Sequence, residues 1–225
     1  MAFENMALEI ENGPDAARPS AADQRPLRAS AVVLAAGLSR RMGQQNKLLL
    51  PMAGEPMVRR AVGRVLEAGF AEVVVVLGHA AEDVSRALGG LAVRSVFNAA
   101  YASGQVSSVR AGLGALSEPV EAVMICLGDQ PLLSSADLRA VLAAYAARPH
   151  GSILVPFRGE QRGNPVVIDW QSAGETLARG INFGCRNFID QHPDRVYRWP
   201  APSDHYVRDV DEPADYEALL AVPLP

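Results

Sequence analysis

The stretch from Leu34 to Pro51, LAAGLSRRMGQQNKLLLP, brings small residues and cations together in one segment. Gly37 follows two alanines, and Arg40, Arg41 and Lys47 come after it, with no aspartate or glutamate between them. Small residues let another group approach the backbone closely, while main-chain N–H groups, arginine and lysine bind phosphate oxygens. The segment is therefore predicted to bind an anion, in particular a polyphosphate.

This segment does not match the common phosphate motifs. A P-loop requires a glycine, four residues and then Gly-Lys-Ser/Thr, whereas Gly43 is here followed by Gln-Gln-Asn before Lys47. The GxGxxG pattern of dinucleotide-binding proteins is also absent. A solvated surface loop with scattered cations is the alternative interpretation. The small run Ala35-Ala36-Gly37 favours a ligand over that alternative, because it lets another group reach the backbone.

Carboxylates form a second candidate group, far along the chain from the basic segment. Asp129 directly follows the apolar run VMICLG, and Asp209 and Asp211 lie in DVDEP. Asp129 could instead cap the helix that follows, but Ser134 and Ser135 already offer that cap. A carboxylate at the end of a buried strand is therefore a candidate for the chemistry of a site.

Size and composition limit the class of protein. A chain of 225 residues with 49% hydrophobic content fits one α/β domain. The 21 basic and 25 acidic residues are scattered, which disfavours an extended nucleic-acid or anionic-membrane surface. Cys126 and Cys185 lack metal or disulfide spacing and are expected to be inert thiols. With no apolar run near the ~18 residues of a membrane span and no signal pattern, we expect a cytoplasmic enzyme.

Strand-like and helix-like segments alternate around these residues. Strands are predicted at 31–36, 72–78, 92–98 and 121–129, and helices at 57–70, 81–91, 106–116 and from about 134. By the right-handed crossover rule, this order predicts a single-domain, doubly wound and mostly parallel α/β sheet, with ligands at the carboxyl ends of its strands. SILVPF and RGNPVVID predict a small antiparallel edge, and Pro213 predicts the start of a closing helix.

The N-terminal part has a different composition from the rest. Residues 1–29 are rich in Ala, Glu, Asp and Pro and show no apolar periodicity. We therefore expect them to be a largely disordered tail, and residues 30–225 to form the folded domain.

The quoted motifs carry a family resemblance. LAAGLSRRMGQQNKLLLPMAGEPMV resembles the signature of the MobA-like nucleotidyltransferases. Four further stretches resemble later motifs of that family in the same order: NAAYASGQVSSVRAGL (98–113), CLGDQPLLS (126–134), RGNPVV (162–167) and DVDEPADYEAL (209–219). The resemblance covers residues 32 to about 220 and implies the Rossmann-like fold of the nucleotide-diphospho-sugar transferases.

The resemblance also implies an activity. The double alanine of LAAG resembles the motif of the branch of the family that uses CTP. Guanylyl-transferring relatives usually have LAGG at this place. The implied reaction is the transfer of CMP from CTP to the terminal phosphate of molybdopterin or Mo-molybdopterin, with release of pyrophosphate. A molybdenum hydroxylase is the client implied for such a product.

Specific roles follow from the same resemblance. Lys47, Arg41 and Asp129 are implied as catalytic groups. Asp129 and Asp211 are implied as the ligands of Mg2+, and Asp209 is a competing candidate for the second ligand. The nucleotide-binding residues implied are Leu34, Ala35, Ala36, Gly37, Arg41, Lys47, Asn98, Ser107 and Asp129. The acceptor-binding residues implied are Arg162, Gly163, Asn164 and Pro165. Asn98 could equally be a turn residue.

One segment departs from the family pattern, which leaves the second substrate open. RGINFGCRNFID (179–190) stands where related cytidylyltransferases carry a GDxGAR-like stretch, and Gly184, Arg186 and Asp190 are its candidate substitutes. The alternatives are a GTP donor or a sugar-phosphate or polyol-phosphate acceptor. Two further alternatives change the class of protein: an NAD(P)H-dependent oxidoreductase, or a maturation chaperone for a molybdenum hydroxylase.

Overall fold

The computed structural model describes residues 27–43, 45–183 and 186–222, and the side chains of residues 186 and 187 lie outside that description. The first strand begins at Ala29, one residue before the predicted start of the domain. The expectation of a disordered tail concerns residues that lie almost entirely outside the described part of the chain.

The described residues form ten strands and seven α-helices around one central sheet. The strands are β1 Ala29–Ala35, β2 Pro51–Met52, β3 Glu55–Pro56, β4 Val73–Leu77, β5 Arg94–Phe97, β6 Ala122–Leu127, β7 Ile153–Arg158, β8 Gln161–Arg162, β9 Val166–Asp169 and β10 Val196–Pro200. The helices are α1 Met57–Ala68, α2 Ala81–Ala87, α3 Gln105–Gly114, α4 Ser135–Ala146, α5 Trp170–Arg179, α6 Arg186–Gln191 and α7 Pro213–Leu220.

The sheet order is β10-β7-β9-β6-β1-β4-β5, with β8 paired to β7. β1 is parallel to β4 and β6, β4 to β5, and β10 to β7, so the predicted mostly parallel α/β sheet is confirmed. Two strands run antiparallel to β7: the short β8 and β9. β9 is not at the rim of the sheet, because it lies between β6 and β7 and is antiparallel to both. Val166, Val167 and Ile168 are all buried, so this strand is apolar on both faces and suits an internal position.

Helices cover both faces of the sheet, which explains the continuous valine runs. Val33 and Val75 face a core shared with α1, α2 and α4, whereas Val32 and Val76 face a second core shared with α3, α5 and α6. Because successive side chains of a strand point to opposite faces, a strand covered on both sides is apolar at every position.

Local signals explain where several helices begin and end. α1 ends at Ala68 because Gly69 takes a left-handed conformation (φ 89°) that closes the last turn. α4 begins with a capping box in which the Ser134 and Asp137 side chains accept each other's backbone N–H groups. The predicted cap is thus Ser134, and Asp129 is not needed for it. α5 and α6 were not predicted, and Asp169 caps α5 by accepting from Ser172 N at 2.7 Å.

Glycine lets α3 lie very close to the sheet. A Cβ added at Gly112 would be 2.2 Å from Val32 Cγ1 and 2.8 Å from Val76 Cγ2. The helix backbone therefore rests directly on β1 and β4, and its first turn is held near the carboxyl ends of these strands.

The cysteines and the helices bear on two expectations from composition. Cys126 is fully buried in β6 and burial raises its thiol pKa to about 12, so this cysteine is inert as expected. Cys185 lies outside the described residues. None of the described helices is both long and apolar enough to cross a membrane.

We predict that Gly112→Ala destabilises the fold by about 1–3 kcal/mol, because the added methyl group overpacks the helix-sheet interface. Urea unfolding followed by circular dichroism measures this free energy. Gly174→Ala is the matched control, since a Cβ at this exposed position of α5 meets nothing within 4 Å. The control is expected to gain up to about 1 kcal/mol from helix propensity. Equal stabilities of the two variants would contradict the close packing.

Candidate active site

A cleft of about 520 Å³ opens at the carboxyl ends of β1 and β6, the edge where the sequence predicts ligands. Four parts of the chain line it: the segment after β1, the start of α3, and the two carboxylate-bearing segments, one after β6 and one before α7. The lining residues are Leu34, Ala36, Gly37, Leu38, Ser39, Arg40, Arg41, Lys47, Leu48, Tyr101, Ala102, Gly104, Gln105, Ser108, Leu127, Asp129, Asp209 and Asp211.

The basic segment is folded by hydrogen bonds around Ser39 and Asn46. Ser39 Oγ accepts from Lys47 N at 3.3 Å and donates to Asn46 Oδ1 at 3.4 Å. Asn46 Oδ1 also accepts from Leu48 N at 3.0 Å, which caps a short 3₁₀ turn over Lys47–Leu49. This turn directs Lys47 inward, where only 8% of the residue is exposed. Lys47 is therefore not a solvated surface cation.

Two distant segments bring three carboxylates together. Val210 N donates to the main-chain oxygen of Asp129 at 3.0 Å, so the segment from Asp209 to Asp211 crosses the end of β6. Asp211 N donates to Asp215 Oδ2 at 2.9 Å, which joins the segment to the first turn of α7. As a result, one carboxylate oxygen from each of Asp129, Asp209 and Asp211 lies within 4.8 Å of the others.

The cations of the basic segment meet these carboxylates directly. Lys47 Nζ lies 2.5 Å from Asp129 Oδ2 and 2.9 Å from Asp211 Oδ1. An Arg41 guanidinium nitrogen lies 2.5 Å from Asp211 Oδ2. The three groups predicted to be catalytic, Arg41, Lys47 and Asp129, therefore form one cluster with Asp211.

This cluster shifts the pKa values of its members. Burial acts to lower the pKa of Lys47, but the charges and hydrogen bonds of Asp129 and Asp211 outweigh it and raise that pKa. Burial acts to raise the pKa of Asp211, but Lys47 and then Arg41 hold it below its usual value. The pKa of Asp209 is raised, first by desolvation and then by the charges of Asp129 and Asp211. Lys47 and Arg41 thus outweigh burial at Asp211, whereas at Asp209 burial and the two neighbouring carboxylates outweigh the attraction of Lys47.

The cluster is able to hold a divalent cation. Asp129 Oδ1 is buried and has no hydrogen-bond partner among the described residues. A buried oxygen of this kind is costly unless a proton donor or a metal ion meets it. Carboxylate oxygens are the ligands preferred by hard cations such as Mg2+. The donor set of Asp129, Asp209 and Asp211 therefore fits a hard divalent cation.

A second cavity of about 240 Å³ adjoins the cleft and shares Gln105, Leu127 and Asp209 with it. Its polar lining includes Arg162 and Asn164 from the RGNP segment. Polar and apolar groups both face this cavity, and its eight apolar lining residues come from α3, β6, β9 and the segment after α5: Val106, Val109, Ile125, Leu127, Val166, Ile168, Ile181 and Phe183. Two substrates can therefore lie side by side at this edge of the sheet.

Comparison with known proteins agrees with this geometry. Residues 31–196 match the MobA-like NTP transferase domain. The chain belongs to this family. It is a nucleotidyltransferase with a nucleoside triphosphate substrate, and the predicted family resemblance is confirmed.

Individual relatives of this MobA-like NTP transferase differ in their named functions. Nicotine blue oxidoreductase of Paenarthrobacter nicotinovorans is 33% identical over 196 residues, which cover 84% of this chain and 95% of that protein. The bifunctional protein GlmU of Agrobacterium fabrum is 38% identical over 207 residues, covering 81% of this chain and 44% of that protein. These relatives therefore do not point to one substrate.

Solved structures show the same fold. A nucleotidyl transferase from Methanothermobacter thermautotroptrophicus superposes with a TM-score of 0.74 at 28% identity, covering 85% of this chain and 95% of its own. The Mycobacterium tuberculosis protein Rv0371C, in a complex with manganese, gives a TM-score of 0.68 at 26% identity, covering 87% of this chain and 100% of its own.

The four LAAG residues predicted to line the nucleotide fall into two groups. Leu34, Ala36 and Gly37 line the cleft, whereas Ala35 is 1% exposed and packs in the core. The carbonyls of Leu34 and Ala36 already accept from Gly128 N at 3.0 Å and from His79 N at 3.4 Å. Space beside the backbone is thus what these residues offer a ligand most directly.

Asn98 lies in a turn and organises the wall of the cleft rather than lining it. Its Nδ2 donates to Ser107 Oγ at 2.9 Å and to Ser108 Oγ at 3.0 Å, and its Oδ1 accepts from Ala100 N at 3.0 Å. Ser107 also lies outside the cleft lining, whereas Ser108 is part of it. Direct nucleotide binding by Asn98 and Ser107 stays a prediction.

The predicted acceptor residues are also divided by the structure. Arg162 and Asn164 line the second cavity, Pro165 is not among the residues that line it, and Gly163 is buried against Tyr206. For the segment that departs from the family pattern, Gly184 and the side chain of Arg186 lie outside the described residues. Asp190 lines a separate cavity of about 230 Å³, together with Arg162.

Sequence reasoning missed Tyr101 and Gln105, which line the cleft, and the apolar wall of the second cavity. Both missed polar residues occur within the quoted stretch NAAYASGQ, so the family motif was an available signal for them. The signal for the apolar wall is weaker. Val106, Val109, Leu127 and Val166 also fall within the quoted motifs, but the eight residues come from four separate parts of the chain and resemble ordinary core residues.

We predict that Asn98→Ala lowers stability by about 1–3 kcal/mol, because it deletes a buried side chain that makes three hydrogen bonds. Nucleotide affinity is expected to fall as well, since the wall containing Tyr101 and Ser108 loses its support. Thermal unfolding with and without nucleotide measures both effects. Ser103→Ala, in the turn that follows and at an exposed position, is the control and should change stability by no more than about 0.5 kcal/mol. Unchanged nucleotide binding by folded Asn98→Ala would contradict the proposed support.

Proposed function

We propose that this protein is a magnesium-dependent cytidylyltransferase that transfers CMP from CTP to the terminal phosphate of molybdopterin or Mo-molybdopterin, with release of pyrophosphate. The observation that carries the proposal is the meeting of Lys47 with Asp129 and Asp211 in a cleft that adjoins a second cavity. The cleft suits the charged reacting groups, and the cavity suits the body of an acceptor.

Arg40, Arg41 and Lys47 are assigned to the triphosphate. All three line the cleft, and their positive charges can offset the negative charge on the phosphates and on the departing pyrophosphate. Lys47 is assigned to the α-phosphate because it is the most buried of the three and lies against Asp129. The choice of CTP over GTP rests on the double alanine of the LAAG motif, by resemblance to the CTP-using branch.

Asp129 and Asp211 are assigned as the residues that hold Mg2+, with Asp209 as a third candidate ligand. The assignment is supported by the unpartnered buried Oδ1 of Asp129 and by the carboxylate cluster. A manganese complex of the mycobacterial relative also favours a divalent cation here. When bound, Mg2+ supplies positive charge that neutralises phosphate oxygens during transfer.

The reaction needs alignment more than covalent chemistry. An oxygen of the acceptor phosphate attacks the α-phosphorus of CTP, a new phosphorus–oxygen bond forms, and the bond to the leaving pyrophosphate breaks. The shared border of the cleft and the cavity, at Gln105, Leu127 and Asp209, allows the two phosphates to meet. Lys47 and Arg41 then stabilise the charge that develops on the leaving group.

The lining of the second cavity suits a ring system that also carries polar groups. Its eight apolar residues can pack against the faces of such a ring, while the polar groups of the same lining can bind its edge. A pterin can lie between apolar side chains and direct its polar edge to Asn164 and Gln105. Arg162 lies beside it with a charge suited to an anionic group of the acceptor.

An NAD(P)H-dependent oxidoreductase is the second candidate, and one observation favours it. Nicotine blue oxidoreductase matches 84% of this chain, so a member of the same family carries a redox name. The adjoining cleft and cavity would then hold a dinucleotide and an aromatic substrate. The cluster of Lys47 with Asp129 and Asp211 favours phosphate chemistry instead, because hydride transfer does not require paired carboxylates and a cation.

The experiment that separates these functions is a thermal-shift titration with CTP, GTP, ATP and NADPH, each with and without MgCl2. A ligand that binds only the native state raises the melting temperature. We expect a Mg2+-dependent shift with CTP, followed by pyrophosphate release that depends on added molybdopterin. A shift with GTP alone would move the donor assignment to guanylyl transfer. A shift with NADPH alone would support the oxidoreductase and overturn the proposal.

We predict that Asp129→Asn weakens Mn2+ binding by at least about tenfold and abolishes pyrophosphate release, because a neutral amide is a poor ligand for a hard cation. Mn2+ binding is measured by electron paramagnetic resonance, and pyrophosphate by a coupled assay. Asp204→Asn is the matched control, since Asp204 is exposed and pairs only weakly with Arg208 at 3.5 Å. A fully active Asp129→Asn protein would contradict the metal assignment.

A further inference from the structure

The main-chain oxygen of Tyr206 lies where three segments meet. It accepts a hydrogen bond from Asn164 N at 2.8 Å and another from Gln130 Nε2 at 3.2 Å. Asn164 belongs to the segment that lines the second cavity, and Gln130 directly follows Asp129. The segment that begins at Tyr206 continues to Asp209 and the carboxylate cluster. One oxygen atom therefore connects the cavity side of the site to the carboxylate side.

The side chain of Tyr206 holds this oxygen in place. Its ring is fully buried and packs edge-on against Trp199, with ring centroids 5.3 Å apart. Its hydroxyl group contacts Asp137 O at 3.2 Å and Asp137 Oδ1 at 3.3 Å. Because Asp137 belongs to the capping box of α4, the carbonyl position is anchored to that helix.

Gly163 packs directly against the same carbonyl. A Cβ at residue 163 would lie 2.3 Å from the oxygen and 2.9 Å from the carbon of Tyr206. Gly163 N donates to Pro156 O at 2.8 Å, which holds the residue against β7 and leaves it little room to retreat. The backbone of Gly163 is not in the left-handed region, so the requirement for glycine here is one of space.

Gln130 is an unusual residue to bury at this point. Only 2% of it is exposed, and its Oε1 has no hydrogen-bond partner among the described residues. An apolar side chain of similar size would avoid the cost of that unsatisfied oxygen. The bond that Nε2 donates to Tyr206 O is therefore the contact that an apolar residue at this position would lose.

We infer that Gly163 and Gln130 are positioning residues that hold the acceptor-lining segment and the carboxylate segment in one fixed arrangement through the Tyr206 carbonyl. Gly163 sets how closely the two segments approach, and Gln130 ties the carbonyl to the strand end that carries Asp129. Calling the cavity side the acceptor side rests on the proposed function, whereas the contacts of the Tyr206 carbonyl are independent of that function. A change on the cavity side is thus transmitted to the carboxylates.

Mn2+ titration of the full chain by electron paramagnetic resonance, without nucleotide, tests this inference. Gly163 is not among the residues that line the cleft, yet Gly163→Ala is expected to weaken Mn2+ binding about tenfold, as changes in the outer shell of a metal site do. Gln130→Met keeps the volume, removes the donor and should weaken Mn2+ binding in the same direction. Gly174→Ala is the control and should bind Mn2+ like the wild type.

A folded Gly163→Ala protein with a lower melting temperature and wild-type Mn2+ affinity would overturn the inference, because a merely structural glycine predicts that result. If Gly163→Ala does not fold, Gln130→Met decides by the same titration. Absence of Mn2+ binding by the wild type would overturn the inference together with the carboxylate site. Failure of CTP transfer alone would overturn only the proposed function, since the titration uses neither CTP nor acceptor.

Discussion

The site depends on one electrostatic constraint: three carboxylates lie within 4.8 Å of one another at the end of a buried strand. Like charges at such distances repel strongly in a partly desolvated cleft, so the arrangement needs opposing charge. Lys47 supplies it by bridging Asp129 and Asp211, and Arg41 adds to it at Asp211. The pKa of Asp209 is raised because burial and the charges of Asp129 and Asp211 outweigh the attraction of Lys47 there.

That constraint explains why segments distant along the chain fold against each other. The basic segment follows β1, whereas the carboxylates follow β6 and precede α7. Removing either sign of charge would leave the other buried without compensation, which is more costly than having neither. The ion pairs therefore hold the segment after β1 against the carboxylate segments. They lie in the cleft itself, where phosphate and a divalent cation can bind.

The scaffold also explains how one family can carry different named activities. The charged cleft and the second cavity adjoin each other and share a border that includes Gln105 and Asp209. Family motifs contribute to both, and the cavity also takes Ile181 and Phe183 from the segment that departs from the family pattern. Function on a shared fold is set by such sites rather than by the fold itself.

The sequence alone determined the alternation of strands and helices, the mostly parallel sheet and the residues of the charged cluster, because these depend on local periodicity and on short motifs. Tertiary structure decided what local signals do not encode. It placed β9 inside the sheet, Ala35 in the core and Asn98 in a supporting turn. It also assembled the apolar wall and the junction at Tyr206. These features depend on packing and hydrogen bonds between distant segments, and such contacts exist only once the chain has folded.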